Sequence, residues 1–156
     1  MKCKDGVKRE FELNMAMIMQ PFQANLAGNV HGGEVMKLMD NVAGSAAVQF
    51  AKSNVVTARV DELQFIKPIN IGAFVTCTGK VVYTGNTSIE VLVIVDVENL
   101  ITHDEKTRAL TAYFTMVALN EDKKPTKVPE IIPETEEEIK LFNQVKDRRD
   151  AFRKKK

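Results

Sequence analysis

Residues 34 to 51 carry a single helical pattern whose polar stripe is very narrow, and most of the chain between residues 55 and 119 reads as strand. Glu34, Lys37, Asn41, Ser45 and Gln49 recur at three- and four-residue steps. Val35, Met36, Leu38, Met39, Val42, Ala43, Ala46, Ala47 and Phe50 fill the remaining positions, so the spacing predicts a helix enclosed on most sides. Upstream, Phe11, Leu13, Met15, Met17 and Met19 sit at period two in the run 11–20, which is a strand signal ending at Pro21. Downstream, run 55–65 is β-branched at first, 73–83 and 107–119 alternate, and 87–97 is almost continuously apolar on one side, all strand-like. Their connections are short and none can hold a crossover helix, so a parallel sheet is excluded. The class expected is α+β, an antiparallel sheet curled around one long helix.

The tail differs in character. Segment 121–133 holds Pro125, Pro129 and Pro133 and reads as a linker without regular structure. Thr135 and Glu138 then form a capping-box pattern at the start of a charged terminal helix. Glu134, Glu136 and Glu137 stand at its positive end, and Lys146, Arg148, Arg149, Arg153 and the last lysines stand toward its negative end. The division expected is one domain over residues 1–125, followed by linker and helix over 126–156. The basic terminus RRDAFRKKK has the charge to grip phosphate, but complementing its own helix dipole already accounts for it.

Charge sets the partners aside. The 22 Lys and Arg residues against 21 Asp and Glu leave a formal charge of +1, which supplies no bulk attraction for nucleic acid or a membrane surface. The amino terminus MKCKDGVKRE lacks an apolar signal region, and no stretch approaches the roughly 20 apolar residues of a membrane span. A soluble cytoplasmic protein is expected. Cys3 and Cys77 are the only cysteines, which argues against a disulfide framework, and His31 and His103 are too few for a metal cluster. The run 91–97 is apolar on both faces, and unpaired sheet edges are normally covered, so self-association is expected as well.

The chemistry concentrates in Asn25 to Gly44, NLAGNVHGGEVMKLMDNVAG. Gly28, Gly32 and Gly33 precede the helix, whose free N–H groups suit a negative oxygen. Asp40 lies seven residues past Gly33, two turns down on nearly the same face, among Met36, Gly44 and Ala47. It stands outside the polar stripe, so this reading places a carboxylate against an apolar strip. Burying it unpaired costs several kcal/mol, and Gly44 within the helix about 1 kcal/mol relative to Ala, a combination that marks a site. The ordinary alternative is an aspartate satisfied by a neighbouring loop.

The block Asn25-x-x-Gly28-Asn29-Val30-His31-Gly32-Gly33 with Asp40, followed by Val55-Val56-Thr57-Ala58-Arg59-Val60-Asp61, closely resembles the hot-dog acyl-CoA thioesterases of the cytosolic, brain-type acyl-CoA hydrolase group and their short bacterial relatives. The resemblance continues through Phe65, Gly72, Asn86-Thr87-Ser88, Ala112-Tyr113-Phe114 and Pro133-Glu134-Thr135-Glu136, over about residues 11 to 150. It implies a curled antiparallel sheet around a central helix, and hydrolysis of fatty acyl-CoA with coenzyme A as part of the substrate and no separate cofactor. It implies Asp40 as catalytic carboxylate, acting as general base or nucleophile, and Asn25 as the residue that orients water or thioester. The two would come from opposite protomers of a homodimer, with three dimers forming a hexamer. Thr57 corresponds to a hydroxyl that supports the aspartate.

His31 stands where members of the family carry Phe, and is expected to line the thioester pocket rather than transfer protons. Gly32 and Gly33 would hold the oxyanion. Gly85, Thr87, Ser88 and Arg59 are candidates for coenzyme A contact through backbone N–H, hydroxyl and cation. Lys80 and Arg108 read as sheet solvation. Met15, Met17, Met19, Met36, Met39 and Met116 supply an adaptable apolar lining, mostly as core. Cys77, Ser45 and Ser88 lack any nucleophile-elbow context. A dehydratase of this fold would call on a His with a carboxylate, which the Asn25/Asp40 pair does not match. A non-catalytic acyl-CoA sensor of the same fold is the binding alternative.

Overall fold

A computed structural model describes residues 1–102 and 105–154, leaving out the side chain of Arg153; His103 and the last two lysines lie outside the described residues. In chain order the elements are β1 (Lys2–Cys3), β2 (Glu12–Ile18), a 3-10 turn (Pro21–Gln23), α1 (Gly32–Ala51), β3 (Asn54–Phe65), β4 (Phe74–Thr84), β5 (Ser88–Glu98), β6 (Thr107–Leu119), β7 (Ile131–Ile132) and α2 (Glu136–Arg153). Five strands make one antiparallel sheet in the order β2-β4-β5-β6-β3, and β1 pairs with β7 separately. The strands adjacent to α1 in sequence, β2 and β3, are therefore the two edges of the sheet. The chain leaves one edge, crosses the concave face as α1, and returns at the other, packing α1 against all five strands.

Helix and sheet meet through the residues whose periodicity announced it. Val35, Met39, Val42, Ala43, Ala46, Ala47 and Phe50 of α1 are buried against Val75, Cys77 and Val81 of β4, Val91, Val93 and Val95 of β5, and Phe114 and Met116 of β6. Each large side chain so enclosed contributes about 1.5–3 kcal/mol over its exposed state. The closest approach is at Gly79, where an added Cβ would lie 2.7 Å from Val42 Cγ1. The run 91–97 belongs to the middle strand: its inner row is covered by α1, and Leu92 and Ile94 on the outer side are half-buried.

Two expectations need correction, and one edge strand departs from regular pairing. The prolyl linker is interrupted by Ile131–Ile132, which pair with Cys3 and Lys2; a partner so distant in sequence leaves no local signal. Helix α1 is open along Gly33, Lys37, Asp40, Asn41 and Val48, so Asp40 is exposed rather than buried. The curled sheet does not close around that side of the helix, and the carboxylate points into the gap. On β3, period two would put Thr57 and Arg59 on one face, but the register shifts between them, and again between Asp61 and Gln64, where Glu62 has φ 52°. The shift makes Ala58 the extra residue of a bulge, which reverses the side-chain alternation beyond it.

On the outer face of the sheet, α2 begins with the capping box that its sequence announces: Thr135 Oγ1 accepts from the Glu138 N–H, and Glu138 returns to the Thr135 N–H. Val145 is buried, and Phe142 meets Tyr83 at 4.8 Å between ring centroids. Among the described residues, no helix is long and apolar enough to cross a membrane.

Candidate active site

The Asp40 groove lies between the open side of α1 and edge strand β3. Thr57 Oγ1 donates to Asp40 Oδ1 at 2.6 Å and also touches Met116 Sδ at 3.6 Å. The bond joins helix to strand and spends one carboxylate oxygen; the other faces a groove of about 690 Å³ lined by Leu13, Gly44, Ser45, Val48, Val56 and Met116. Of the methionines expected as lining, only Met116 borders this groove. Gly44 lies beside Asp40 one turn along, keeping that wall low.

Asn25 stands elsewhere in the chain. Its loop folds back on itself, with Ala24 bridging Val30 and the Asn25 N–H donating to Asn29 O at 2.7 Å. Asn25 Oδ1 accepts from the Ala27 N–H at 2.9 Å and the Asn29 N–H at 3.2 Å. That commits the amide oxygen to the loop and leaves the NH2 as the working end, a donor only. Asn25 and Gly32 border a second cavity of about 370 Å³ with Val30, Val35, Phe65 and Leu110.

His31 has a role that its sequence position did not disclose. It is the N-cap of α1, and its Nδ1 accepts from the Gly33 N–H at 2.9 Å. The ring thus takes one of the two N–H groups expected to receive an oxyanion, while the Gly32 N–H has no partner among the described residues. Histidine is not among the usual N-cap residues, so capping preference offered no signal here.

Arg59, Thr87 and Ser88 do come together, but on the outer face of the sheet under α2, in a cavity of about 330 Å³ shared with Glu90, Thr115 and Arg149. Arg59 Nε pairs with Asp61 at 2.6 Å, and its guanidinium lies 3.8 Å from the Phe152 ring centroid. Arg149, in the basic stretch whose charge was put down to the helix dipole, is buried and donates to Ser88 Oγ at 2.8 Å. A side chain at Gly85 would collide with its guanidinium. Glu90 is fully buried, accepts from Thr115 Oγ1 at 2.9 Å, and lies 3.8 Å from Arg148 Nη2; burial raises its carboxyl above the usual range, against the pull of Arg148, Arg149 and Arg59. Arg108 pairs with Asp96 at 3.3 Å.

The expected site residues thus fall into three places: Asp40 with Thr57 in the inner groove, Asn25 with the α1 N-terminus at one end, and the Arg59 group across the sheet. Comparison with known proteins agrees with the fold. The thioesterase superfamily profile matches residues 27–100. The cytosolic acyl coenzyme A thioester hydrolase of Rattus norvegicus is 43% identical over 132 residues, covering 84% of this chain and 35% of that protein, so the chain spans about a third of that relative's length. A crystallised apo-hexameric acyl-CoA thioesterase superposes with TM-score 0.87 at 35% identity over 92% of each chain. An acyl-CoA hydrolase from Staphylococcus aureus, solved with butyryl coenzyme A, coenzyme A and coenzyme A disulfide, superposes with TM-score 0.82 at 30% identity over 92% of this chain and 89% of that one. Solved structures of that hydrolase include alanine mutants of one asparagine, one aspartate and one threonine. The identity to these relatives and the superposition of the curled sheet and its helix show that this chain belongs to the thioesterase superfamily and has its hot-dog fold.

Proposed function

We propose that this chain hydrolyses the thioester of acyl-coenzyme A to a free fatty acid and coenzyme A, at a site that two copies complete together. The observation that carries this reading is the Thr57–Asp40 bond at the groove: a carboxylate oriented through one oxygen, with the other left for the reacting group. Support also comes from spacing. In the Staphylococcus aureus hydrolase the mutated aspartate lies fifteen residues after the asparagine and the threonine seventeen after the aspartate, the separations of Asn25, Asp40 and Thr57 here.

Helix geometry supports the second copy. Asp40 lies eight residues beyond Gly32 on α1, roughly 12 Å along the axis at ~1.5 Å per residue. A base and an oxyanion donor must both reach one carbonyl group at about 3 Å. Two α1 helices side by side and antiparallel would bring the Asn25 and Gly32 end of one protomer to Asp40 of its partner. Asp40 then takes a proton from water as the water oxygen bonds to the carbonyl carbon. The oxyanion accepts from the Asn25 NH2 and the Gly32 N–H, and collapse breaks the C–S bond, the thiolate of coenzyme A leaving and taking up the proton. Direct attack by Asp40 would use the same free oxygen and pass through an anhydride; ¹⁸O found in Asp40 after a single turnover in ¹⁸O-water would establish that route, because water that opens the anhydride at the Asp40 carboxyl carbon leaves its oxygen there.

On this reading acyl-CoA is the substrate and coenzyme A a product, no separate cofactor takes part, and three dimers form a hexamer in the cytosol. The outer-face group of Arg59, Gly85, Thr87 and Ser88, with Arg149, is assigned to the nucleotide end of coenzyme A. The test is thiol release from an acyl-CoA panel by wild type and Asp40→Asn. Loss of at least roughly a hundredfold in kcat with the fold retained supports the reading. Tight binding without turnover in the wild type would replace it with a sensor.

A further inference from the structure

Gln23 is a buried polar residue, 6% exposed, in the 3-10 turn just before the Asn25 loop. Its Oε1 accepts from the Gln20 N–H at 2.7 Å, and its Nε2 donates to Glu34 Oε2 at 3.4 Å, in the first turn of α1. Its backbone carbonyl accepts from the His31 N–H at 2.7 Å. The orientation of the amide is set by its partners, because a backbone N–H needs an oxygen and a carboxylate needs the NH2. One residue therefore ties the entry of the loop, its exit at the His31 N-cap and the start of α1. Asn25 lies two positions beyond it, inside the segment closed by the Ala24–Val30 bridge.

We infer that Gln23 is a positioning residue for the hydrolysis: it sets where the Asn25 NH2 stands relative to the Gly32 N–H, the two donors assigned to the oxyanion. The inference rests on the shared-site reading above. Truncating Gln23 removes the acceptor for Gln20 and the donor for Glu34 together, and the loop carrying Asn25 loses its register against the helix. A misplacement of about 1 Å in a catalytic group can cost on the order of a hundredfold in rate. Gln23→Ala is expected to lower kcat by about tenfold or more while KM stays within about twofold, because the truncated group does not border the Asp40 groove.

Subunit mixing distinguishes positioning from general support of the fold. If Gln23 acts through Asn25 of its own protomer, Gln23→Ala mixed with Asp40→Ala regains activity, since one site of each mixed dimer has an intact loop facing an intact Asp40. Mixed with Asn25→Ala, it regains none. A second arm exchanges the polarity of the bond. Gln23→Glu alone sets two carboxylates against each other and loses activity, whereas Gln23→Glu with Glu34→Gln restores donor to acceptor and recovers at least about half of the wild-type kcat. Equal recovery with both partners, or a double exchange no better than the single one, would overturn the inference. The Asn25→Ala and Asp40→Ala mixture is the control: if it stays dead after proven subunit exchange, the shared site fails, and Gln23 is then decided by the kcat of Gln23→Ala and by the double exchange.

Discussion

Thr57 and Arg59 are two residues apart on an edge strand yet serve opposite faces of the sheet: Thr57 bonds Asp40 of α1, and Arg59 lies over Phe152 of α2. The bulge at Ala58 makes the difference. Substitutions at the two positions should therefore separate kinetically. Thr57→Val removes a donor to a carboxylate, worth about 1.5–3 kcal/mol, and should lower kcat by ten- to a hundredfold. Arg59→Ala should leave kcat within about threefold and act on KM. Steady-state thiol release measures both; matching kcat losses would place the two residues in one function.

Glu138 gives a pH signature. Its carboxyl is held down to about 2 from 4.5, first by the Met1 ammonium, 2.7 Å away, and then by the Glu134 and Thr135 N–H groups. A carboxyl with a depressed folded value stabilises above its unfolded value and loses that contribution as pH falls through the folded one. The Tm gap between wild type and Glu138→Gln should be full at pH 6, shrink below about 4.5 and nearly close by about pH 2. A gap unchanged by acid would show that the pairing contributes nothing to folding.

Cys77 bears on how activity is read. Burial pushes its thiol up to about 12, with Asp96 adding to the rise, and Cys3 is buried and raised in the same direction. Neither offers appreciable thiolate near pH 8, so a thiol-trapping reagent should see released coenzyme A against a flat background. Denaturant should expose both thiols. Rapid labelling of the native protein at Cys77 would mean that β4 opens locally far more often than its burial allows.

What the sequence disclosed and what it withheld divide by range. The runs at 55–65, 73–83, 87–97 and 107–119 became strands within a residue or two at each end, and the Thr135/Glu138 box sits where its pattern put it, because periodicity and caps are local. The Ala58 bulge is invisible to a period-two reading, since nothing in Val55-Val56-Thr57-Ala58-Arg59 announces an extra residue. Burial of Asp40 was misread because angular position on a helix tells which residues share a face, not whether the sheet reaches it. Arg149 was passed over as dipole compensation, and only the docking of α2 puts it beside Ser88 and Gly85.

Assembly supplies the last prediction. Beside Asn25, Leu26 is fully exposed at 110% and Phe22 at 83%, while Val48 and Val56 at the Asp40 groove are 42% and 46% exposed. Edge strand β3, next to that groove, has one side unpaired within the chain. Apolar side chains at both halves of a proposed shared site suit contact between copies, each loop covering the other's groove. Leu26→Asp would place a charge in that contact and cost the dimer several kcal/mol of desolvation, while a solvent-facing loop residue has little effect on the monomer's own core. Light scattering at micromolar concentration should give a dimer or a multiple of it for the wild type and a smaller species for Leu26→Asp, with hydrolysis lost in parallel. A Leu26→Asp monomer that hydrolyses acyl-CoA at the wild-type rate would put Asn25 and Asp40 to work within one chain, against the ~12 Å that α1 sets between Gly32 and Asp40.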